Sequence, residues 1–219
     1  DTGNLWYVAQ ATDPLSIYFV DADGVLTKGS RKTSAAACVA AFDFAWIDAS
    51  DRLYVYATAD PVTLYARVEM CSLDYGIHAN GANGCVIRDV RLIGQKGVGL
   101  QATGVSSLTA SDLYIGFQAA DGAGGSNALA FALSDSIVES CGAARPATSA
   151  AFTGEGDGFS LHGTSSGTLT RVVFRDCLKA AINSIDTTTV ANRVRVERCN
   201  ANVLGFHTTG TLTLRNSLI

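Results

Sequence analysis

His162 is the side chain whose chemistry is best suited to proton transfer. An imidazole titrates near neutral pH and can serve as a general base or acid. Two carboxylates, Glu155 and Asp157, precede it by seven and five residues. Such groups can orient a histidine, act as acid and base themselves, or bind a divalent cation such as calcium. We therefore predict His162, Asp157 and Glu155 as candidate catalytic residues. The simpler interpretations are a solvated outward histidine and, at Asp157, a turn.

Polar side chains alternate with apolar ones in a short motif that recurs along the chain. The motif begins at Gly76, Gly99, Gly158 and Ala181, and its alternate residues should point in opposite directions along a strand. Its polar members would form two outward columns. The first contains His78, Gln101, Ser160 and Asn183, and the second contains Asn80, Thr103, His162 and His207. Imidazoles, amides and hydroxyls at a regular spacing suit hydrogen bonding to a sugar polymer, so these residues are candidates for ligand binding.

A second candidate surface is basic. Arg88, Arg175 and Arg215 are predicted to point outward from another strand of the repeat, where they could attract an acidic glycan such as a uronate polymer. An ordinary solvated face balanced by acidic neighbours explains the same residues. Arg175 is included among the candidate ligand-binding residues.

The elements that position these side chains recur about every 23 residues. A polar residue closes a short alternating strand at six places: Asp89, Asp112, Asp135, Asp176, Arg198 and Asn216. The successive spacings are 23, 23, 41, 22 and 18 residues, and the first strand motif recurs with the same 23-residue spacing. Two columns that share one period predict a solenoid of stacked coils, each with several short strands. The closing Asp and Asn residues fit turns held by side-chain hydrogen bonds. A β-sandwich is the alternative architecture.

The repeat is interrupted, and a different kind of sequence precedes it. The 41-residue spacing indicates an insertion of about 18 residues at 141–156, and residues 121–125 indicate a smaller glycine-rich excursion. Residues 42–56 have a hairpin pattern with turn residues in the middle. We predict an antiparallel β lead-in over residues 1–70, a solenoid over 71–219, and truncation of a longer chain at both ends.

Composition excludes several classes of function. Hydrophobic residues make up 47% of the chain and charged residues 16%, which is typical of a folded chain. A net charge of −4 argues against a nucleic-acid partner, and no apolar stretch reaches membrane-spanning length. The six cysteines show no C-x-x-C pair and no histidine at ligand spacing, so no metal site is predicted. Cys177 and Cys199 share a repeat position and are expected to stack as thiols rather than form a disulfide.

Three stretches carry a resemblance to a known superfamily. Residues 157–163 read DGFSLHG, residues 171–177 read RVVFRDC, and residues 46–56 read WIDASDRLYVY. Together they resemble the pectate-lyase-type right-handed β-helix superfamily, in which bacterial and phage proteins have a segment like the third just before the helix. The resemblance implies an all-β chain whose solenoid is a right-handed parallel β-helix. The superfamily includes polysaccharide lyases, glycoside hydrolases, uronan epimerases and trimeric phage tailspikes.

The resemblance also implies a function. We predict an extracellular protein, at a cell surface or on a virion, that binds a polysaccharide or surface glycan and degrades it as a lyase or glycoside hydrolase. The alternatives are a non-enzymatic trimeric tailspike or adhesin, and a structural solenoid within a larger assembly. An enzyme should bring carboxylates together beside His162, whereas a spacer should leave them scattered. Apart from the divalent cation considered above, no cofactor is predicted.

Overall fold

The computed structural model describes residues 3–71, 73–142, 156–200 and 210–218. Its regular structure is almost entirely β, with one short α-helix, α1 (Pro61–Leu64), and 3₁₀-helices at Ala35–Ala37 and Asp48–Ser50 in the described part of the chain. The residues fall into two compact units, which meet in sequence near residue 72.

The first unit, described over residues 3–71, contains two small sheets. Its strands are β1 Leu5–Ala9, β2 Ile17–Val20, β3 Leu26–Lys28, β4 Ser30–Arg31, β5 Asp43–Ile47, β6 Arg52–Tyr56 and β7 Arg67–Met70. Strand order is β1-β6-β5-β4 in one sheet and β3-β2-β7 in the other, with antiparallel pairing everywhere except between β4 and β5. The predicted hairpin is confirmed: β5 and β6 pair across a turn in which Asp51 has a left-handed backbone (φ 47°). Ile17, Phe19, Phe44 and Leu53 form the centre of the core.

The second unit, described over residues 73–142, 156–200 and 210–218, is a parallel β-helix in which each coil adds one strand to each of three sheets. Sheet A contains β8 Tyr75–Asn80, β11 Val98–Thr103, β14 Ala123–Ser126, β17 Phe159–His162 and β20 Ile182–Ile185. Sheet B contains β9 Asn83–Arg88, β12 Ser107–Ser111, β15 Phe131–Ser134, β18 Ser166–Thr170, β21 Thr188–Asn192 and β23 Thr211–Arg215. Sheet C contains β10 Arg91–Ile93, β13 Tyr114–Gly116, β16 Ile137–Glu139, β19 Val173–Arg175 and β22 Arg195–Glu197. The predicted solenoid with coils of about 23 residues, preceded by small antiparallel sheets, is confirmed.

Alternation along each strand builds the solenoid core. In sheet A the predicted inward residues Ile77, Leu100, Phe159 and Ile182 share one register column, and the last three are at most 1% exposed. Burial of one such side chain contributes about 1.5–3 kcal/mol relative to exposure. A single coil cannot bury its apolar face, so this stabilisation arises only when coils stack. Leu204, the fifth predicted inward residue, lies outside the described residues.

Left-handed residues end the strands and form three columns along the solenoid. After sheet A they are Gly81, Gly104, Asn127, Gly163 and Asp186; after sheet B, Asp89, Asp112, Asp135, Arg171, Arg193 and Asn216; after sheet C, Gly94, Phe117, Ser140, Asp176 and Arg198. The backbone N–H of such a residue donates to a carbonyl of the next coil, as from Asp112 to Ser134 at 3.2 Å. Gly, Asn and Asp adopt this conformation at lower cost than other residues. Backbone conformation, rather than the predicted side-chain hydrogen bond, therefore explains the recurrence of Asp.

The predicted closing column combined two different turns and was wrong at Asp176 and Arg198. Asp135 follows sheet B, whereas Asp176, assigned to the same position, follows sheet C. The residue equivalent to Asp135 in the next coil is Arg171, 36 residues later. The insertion therefore adds about 13 residues rather than 18, and it lies in the chain between β16 and β17. Both turns need a residue with a left-handed backbone, so their sequences look alike. The two turns nevertheless follow different sheets of the coil, sheet B and sheet C.

The glycine-rich stretch at 121–125 is part of the solenoid wall, contrary to the predicted excursion. Residues Ala123–Ser126 form β14, which pairs with β11 and β17. Space explains the glycines: a Cβ at Gly122 would lie 2.3 Å from Val138 Cγ1, and one at Gly125 would lie 2.9 Å from Leu161 Cδ2. Gly99 and Gly158 make room in the same way for Ile115 and Phe174. Glycines at or just before the start of sheet A strands thus allow the core side chains of sheet C to pack.

Candidate functional site

The outward side chains of sheet A form a surface that we call the polar face. Strand register places His78, Gln101, Gly124, Ser160 and Asn183 in one column, and Asn80, Thr103, Ser126, His162 and Ile185 in the other. Neighbouring members lie on adjacent strands, which are about 4.8 Å apart. The strand register therefore brings the two predicted columns together, but Ser160 and Asn183, which were predicted to be outward ligand-binding residues, are buried (2% and 3% exposed). Gly124 and Ser126 were missed, although Gly122 follows Gly99 by the period of 23 residues and could have identified their strand. His207 and Glu155 lie outside the described residues.

The first cluster on the polar face surrounds His78. Its Nε2 lies 3.2 Å from Thr103 Oγ1, and Gln101 Nε2 also donates to Thr103 Oγ1 at 3.4 Å. The Tyr75 ring lies 4.5 Å from the His78 ring between centroids, tilted by 34°. Tyr75, His78 and Asn80 are exposed. An aromatic ring beside hydrogen-bonding groups offers a sugar both an apolar surface and polar partners.

The second cluster surrounds His162, which lies in the same column as Thr103, two coils further along the stack. Strand β17 places Ser160 and His162 two residues apart on the same side, and Ser160 Oγ lies 2.9 Å from His162 Nε2. The imidazole is exposed, whereas Ser160 is 2% exposed. An exposed imidazole that shares a hydrogen bond with a hydroxyl can exchange a proton with a group bound at the face.

Asp157 lies inside the turn that leads into β17 and is 0% exposed. Its Oδ1 accepts a hydrogen bond from the Ala180 backbone N–H at 3.0 Å, and its Oδ2 accepts from Asn183 Nδ2 at 2.7 Å and from Lys179 Nζ at 3.0 Å. A polymer outside the protein cannot reach this carboxylate. The geometry favours the turn interpretation of Asp157 and makes it a support for Asn183.

Asn183 joins this turn to the polar face. Its amide donates to Asp157, while its Oδ1 is buried and has no hydrogen-bond partner in the described structure. The same residue neighbours Ser160 in the outward column. Asp121 has the equivalent place one coil earlier, where its Oδ1 accepts from the backbone N–H groups of Gly156 and Asp157 at 2.9 and 2.8 Å. Two stacked aspartates therefore hold together three successive coils beneath the polar face.

Arg175 does not lie on the polar face. It belongs to β19 in sheet C, where it forms an ion pair with Glu139, which also accepts a hydrogen bond from Tyr114. Burial and the hydrogen bond to Glu139 raise the pKa of Tyr114 well above its ordinary value. Arg88 and Arg215 lie in sheet B, at opposite ends of the stack. The structure therefore does not unite the three arginines that the sequence suggested as one basic strip.

The cysteines are free thiols at all six positions. Cys141, Cys177 and Cys199 follow the sheet C turns of successive coils, and the neighbouring thiol raises the pKa of both Cys177 and Cys199 above the ordinary value. Raised pKa values keep these groups protonated and poorly reactive. Within the described ranges, no group of three or more His, Cys, Asp or Glu side chains is arranged to hold a metal ion. A bound calcium therefore stays a prediction.

Among the described residues, no helix is long and apolar enough to cross a membrane.

Comparison with known families gives one match. The family described as "right handed beta helix region" matches residues 54–219. Neither the curated proteins nor the solved structures include a match to this chain.

Proposed function

Because the chain belongs to the right-handed β-helix family, we propose that it binds an extended polysaccharide along the polar face. The observation that carries this proposal is the set of accessible polar side chains in the two columns of sheet A: His78, Asn80 and His162 are exposed, and Gln101, Thr103 and Ser126 are half-buried. Sugar hydroxyls both donate and accept hydrogen bonds, as these side chains do. A polymer can use the same contacts repeatedly along the stack, so several weak interactions add up to useful affinity.

The proposal also covers the localisation and the oligomeric state of the protein. Surface glycans are met outside the cytoplasm, so we place the protein at a cell surface, on a virion or in the extracellular medium. A homotrimer or a larger assembly, as in the non-enzymatic spike and structural alternatives, would present several polar faces and increase avidity.

Cleavage of the bound glycan is the second candidate function. One observation favours it: the exposed His162 imidazole has a hydrogen-bond partner at 2.9 Å in the hydroxyl of the buried Ser160. The carboxylate that was predicted to assist, Asp157, is buried and already accepts three hydrogen bonds. The described residues therefore support glycan binding more broadly than they support cleavage, which in a hydrolase needs a general acid and a general base.

Titration with a panel of purified polysaccharides tests both functions. We expect the parent chain to bind at least one glycan, and Gln101→Ala and His78→Ala each to weaken its affinity about threefold to tenfold, the loss of roughly one hydrogen bond. Thr109→Ala is the matched control, because Thr109 is exposed on the outer side of sheet B. Failure of the folded parent to bind any glycan, or equal loss in the control, would contradict the proposal.

The same samples reveal cleavage and any need for calcium. Reducing ends and the ultraviolet absorbance of unsaturated uronates distinguish a hydrolase from a lyase. Cleavage products that disappear in the His162→Ala variant would locate a reaction at the polar face. Intact polymer in every sample would support binding without cleavage. Chelation of divalent cations before titration lowers the affinity if calcium takes part.

A further inference from the structure

We infer that the polysaccharide bound at the polar face is neutral rather than acidic. This inference rests on the proposed function and names the substrate class of that same surface. It also restricts the possible reactions. A lyase that eliminates across a uronate needs an acidic polymer, whereas a neutral polymer can only be hydrolysed or bound without cleavage.

Both outward columns lack fixed charge in the part of the chain that the structure describes. Their polar members are Asn, Gln, Ser and Thr, and the titratable members are His78 and His162. A carboxylate brought onto such a surface loses water and gains no cation in exchange. Removing a charge from water without a charged partner costs much more than the same step for a hydroxyl.

The lysine beside Asp157 is already engaged. Lys179 Nζ lies 3.0 Å from Asp157 Oδ2, and that carboxylate side chain is 1% exposed. Diverting the lysine to a ligand would leave a buried carboxylate without its cation, which is unfavourable. Lys96 lies in the loop between β10 and β11 and belongs to neither column.

Four of the eight arginines that the structure describes in the solenoid form ion pairs away from sheet A. In sheet C and its turns, ion pairs join Arg175 to Glu139, Arg195 to Glu197, and Arg198 to Asp176. Arg171 pairs with Asp135 at the edge of sheet B. These ion pairs lie in or beside sheets B and C rather than on sheet A. In addition, the net charge of −4 repels a polyanion at long range.

Matched polymers test the inference. Each acidic polysaccharide of the panel is compared with its carboxyl-reduced form, which has the same linkages and differs only by a hydroxymethyl group in place of each carboxylate. We expect the reduced form to bind at least about tenfold more tightly in a pair that binds, a difference of about 1.4 kcal/mol. Its affinity should change little between low and moderate salt, because no ion pair is formed.

A change of charge on the face provides the second measurement. Gln101→Lys should raise the affinity for the acidic partner, whereas Thr109→Lys on sheet B, an identical change in net charge, should not. Tighter binding of the acidic form by the parent, with affinity that falls as salt rises, would overturn the neutral assignment while leaving glycan binding intact. Absence of binding to both forms of every pair would overturn the proposed function itself, and the inference with it.

Discussion

Removal of the Asp157 carboxylate should destabilise the solenoid. Asp157→Ala leaves two buried donors, the Ala180 backbone N–H and the Asn183 amide, without their acceptor. Each unsatisfied buried group costs about 1–3 kcal/mol, so the expected loss is roughly 2–6 kcal/mol in the free energy of unfolding. The ion pair with Lys179 adds little, because the lysine side chain is 35% exposed and regains water.

Urea unfolding measures this loss, and two signals separate the units. Both tryptophans, Trp6 and Trp46, lie in the first unit, so their fluorescence reports its unfolding, whereas far-ultraviolet circular dichroism is dominated by the strands of the solenoid. With a slope near 2 kcal/mol/M, the dichroism midpoint should fall by about 1–3 M.

Asp74→Ala is the control for Asp157→Ala, since Asp74 is an exposed carboxylate in the same solenoid and should change stability by less than about 0.5 kcal/mol. Equal midpoints for Asp157→Ala and Asp74→Ala would refute the structural role of Asp157. Catalysis would then need to be reconsidered for this residue.

Three further predictions follow from packing, backbone conformation and titration. Gly122→Ala should lower the free energy of unfolding by about 3 kcal/mol or more, because its Cβ would lie 2.3 Å from Val138 Cγ1. Gly104→Ala, whose Cβ enters open space, should lower it only by the left-handed backbone strain of about 1–2 kcal/mol. Similar unfolding midpoints for the two variants would contradict this. Asp112→Gly should keep or raise the thermal midpoint because φ is 57°; a marked loss would instead support a side-chain role. Burial alone would raise the pKa of Asp43, but hydrogen bonds from a lysine and two backbone N–H groups outweigh it and hold the pKa below its usual value. The resulting stability is present above the unfolded pKa of about 3.9 and is lost as the pH falls through the lower folded value. The penalty of Asp43→Asn should therefore be full at pH 6 and decrease progressively as the pH falls below about 3.9 toward the lower folded pKa, and a pH-independent penalty would count against it.

The coil and the two outward columns could be predicted from the sequence because they depend on local alternation and a fixed period. Ile77, Leu100, Phe159 and Ile182 differ in size but recur at the same place in the coil, and the strand register follows from that recurrence. The polar residues beside them were predicted to point outward for the same reason, although Ser160 and Asn183 are buried in the folded chain. Such patterns are properties of neighbouring residues and need no knowledge of distant contacts.

Two errors show where this reasoning fails. The turn after sheet B and the turn after sheet C both require a left-handed residue, so Asp135 and Asp176 seemed equivalent although they end different strands. Gly122 and Gly125 suggested a loop, because the side chains that need their space, Val138 and Leu161, are distant in sequence. In both cases the reason for the residue lies in the adjacent sheet or coil.

The sequence by itself therefore determined a β-solenoid, its period and a polar face with His78 and His162 on one side. Tertiary structure alone decided what the charged residues do. It buried Asp157 beneath that face with Lys179 and moved Arg175 to another sheet beside Glu139. The physical reason is that burial and ion pairing depend on which coils and turns meet in space, and a carboxylate or guanidinium carries the same sequence signal whether it faces water or a buried partner.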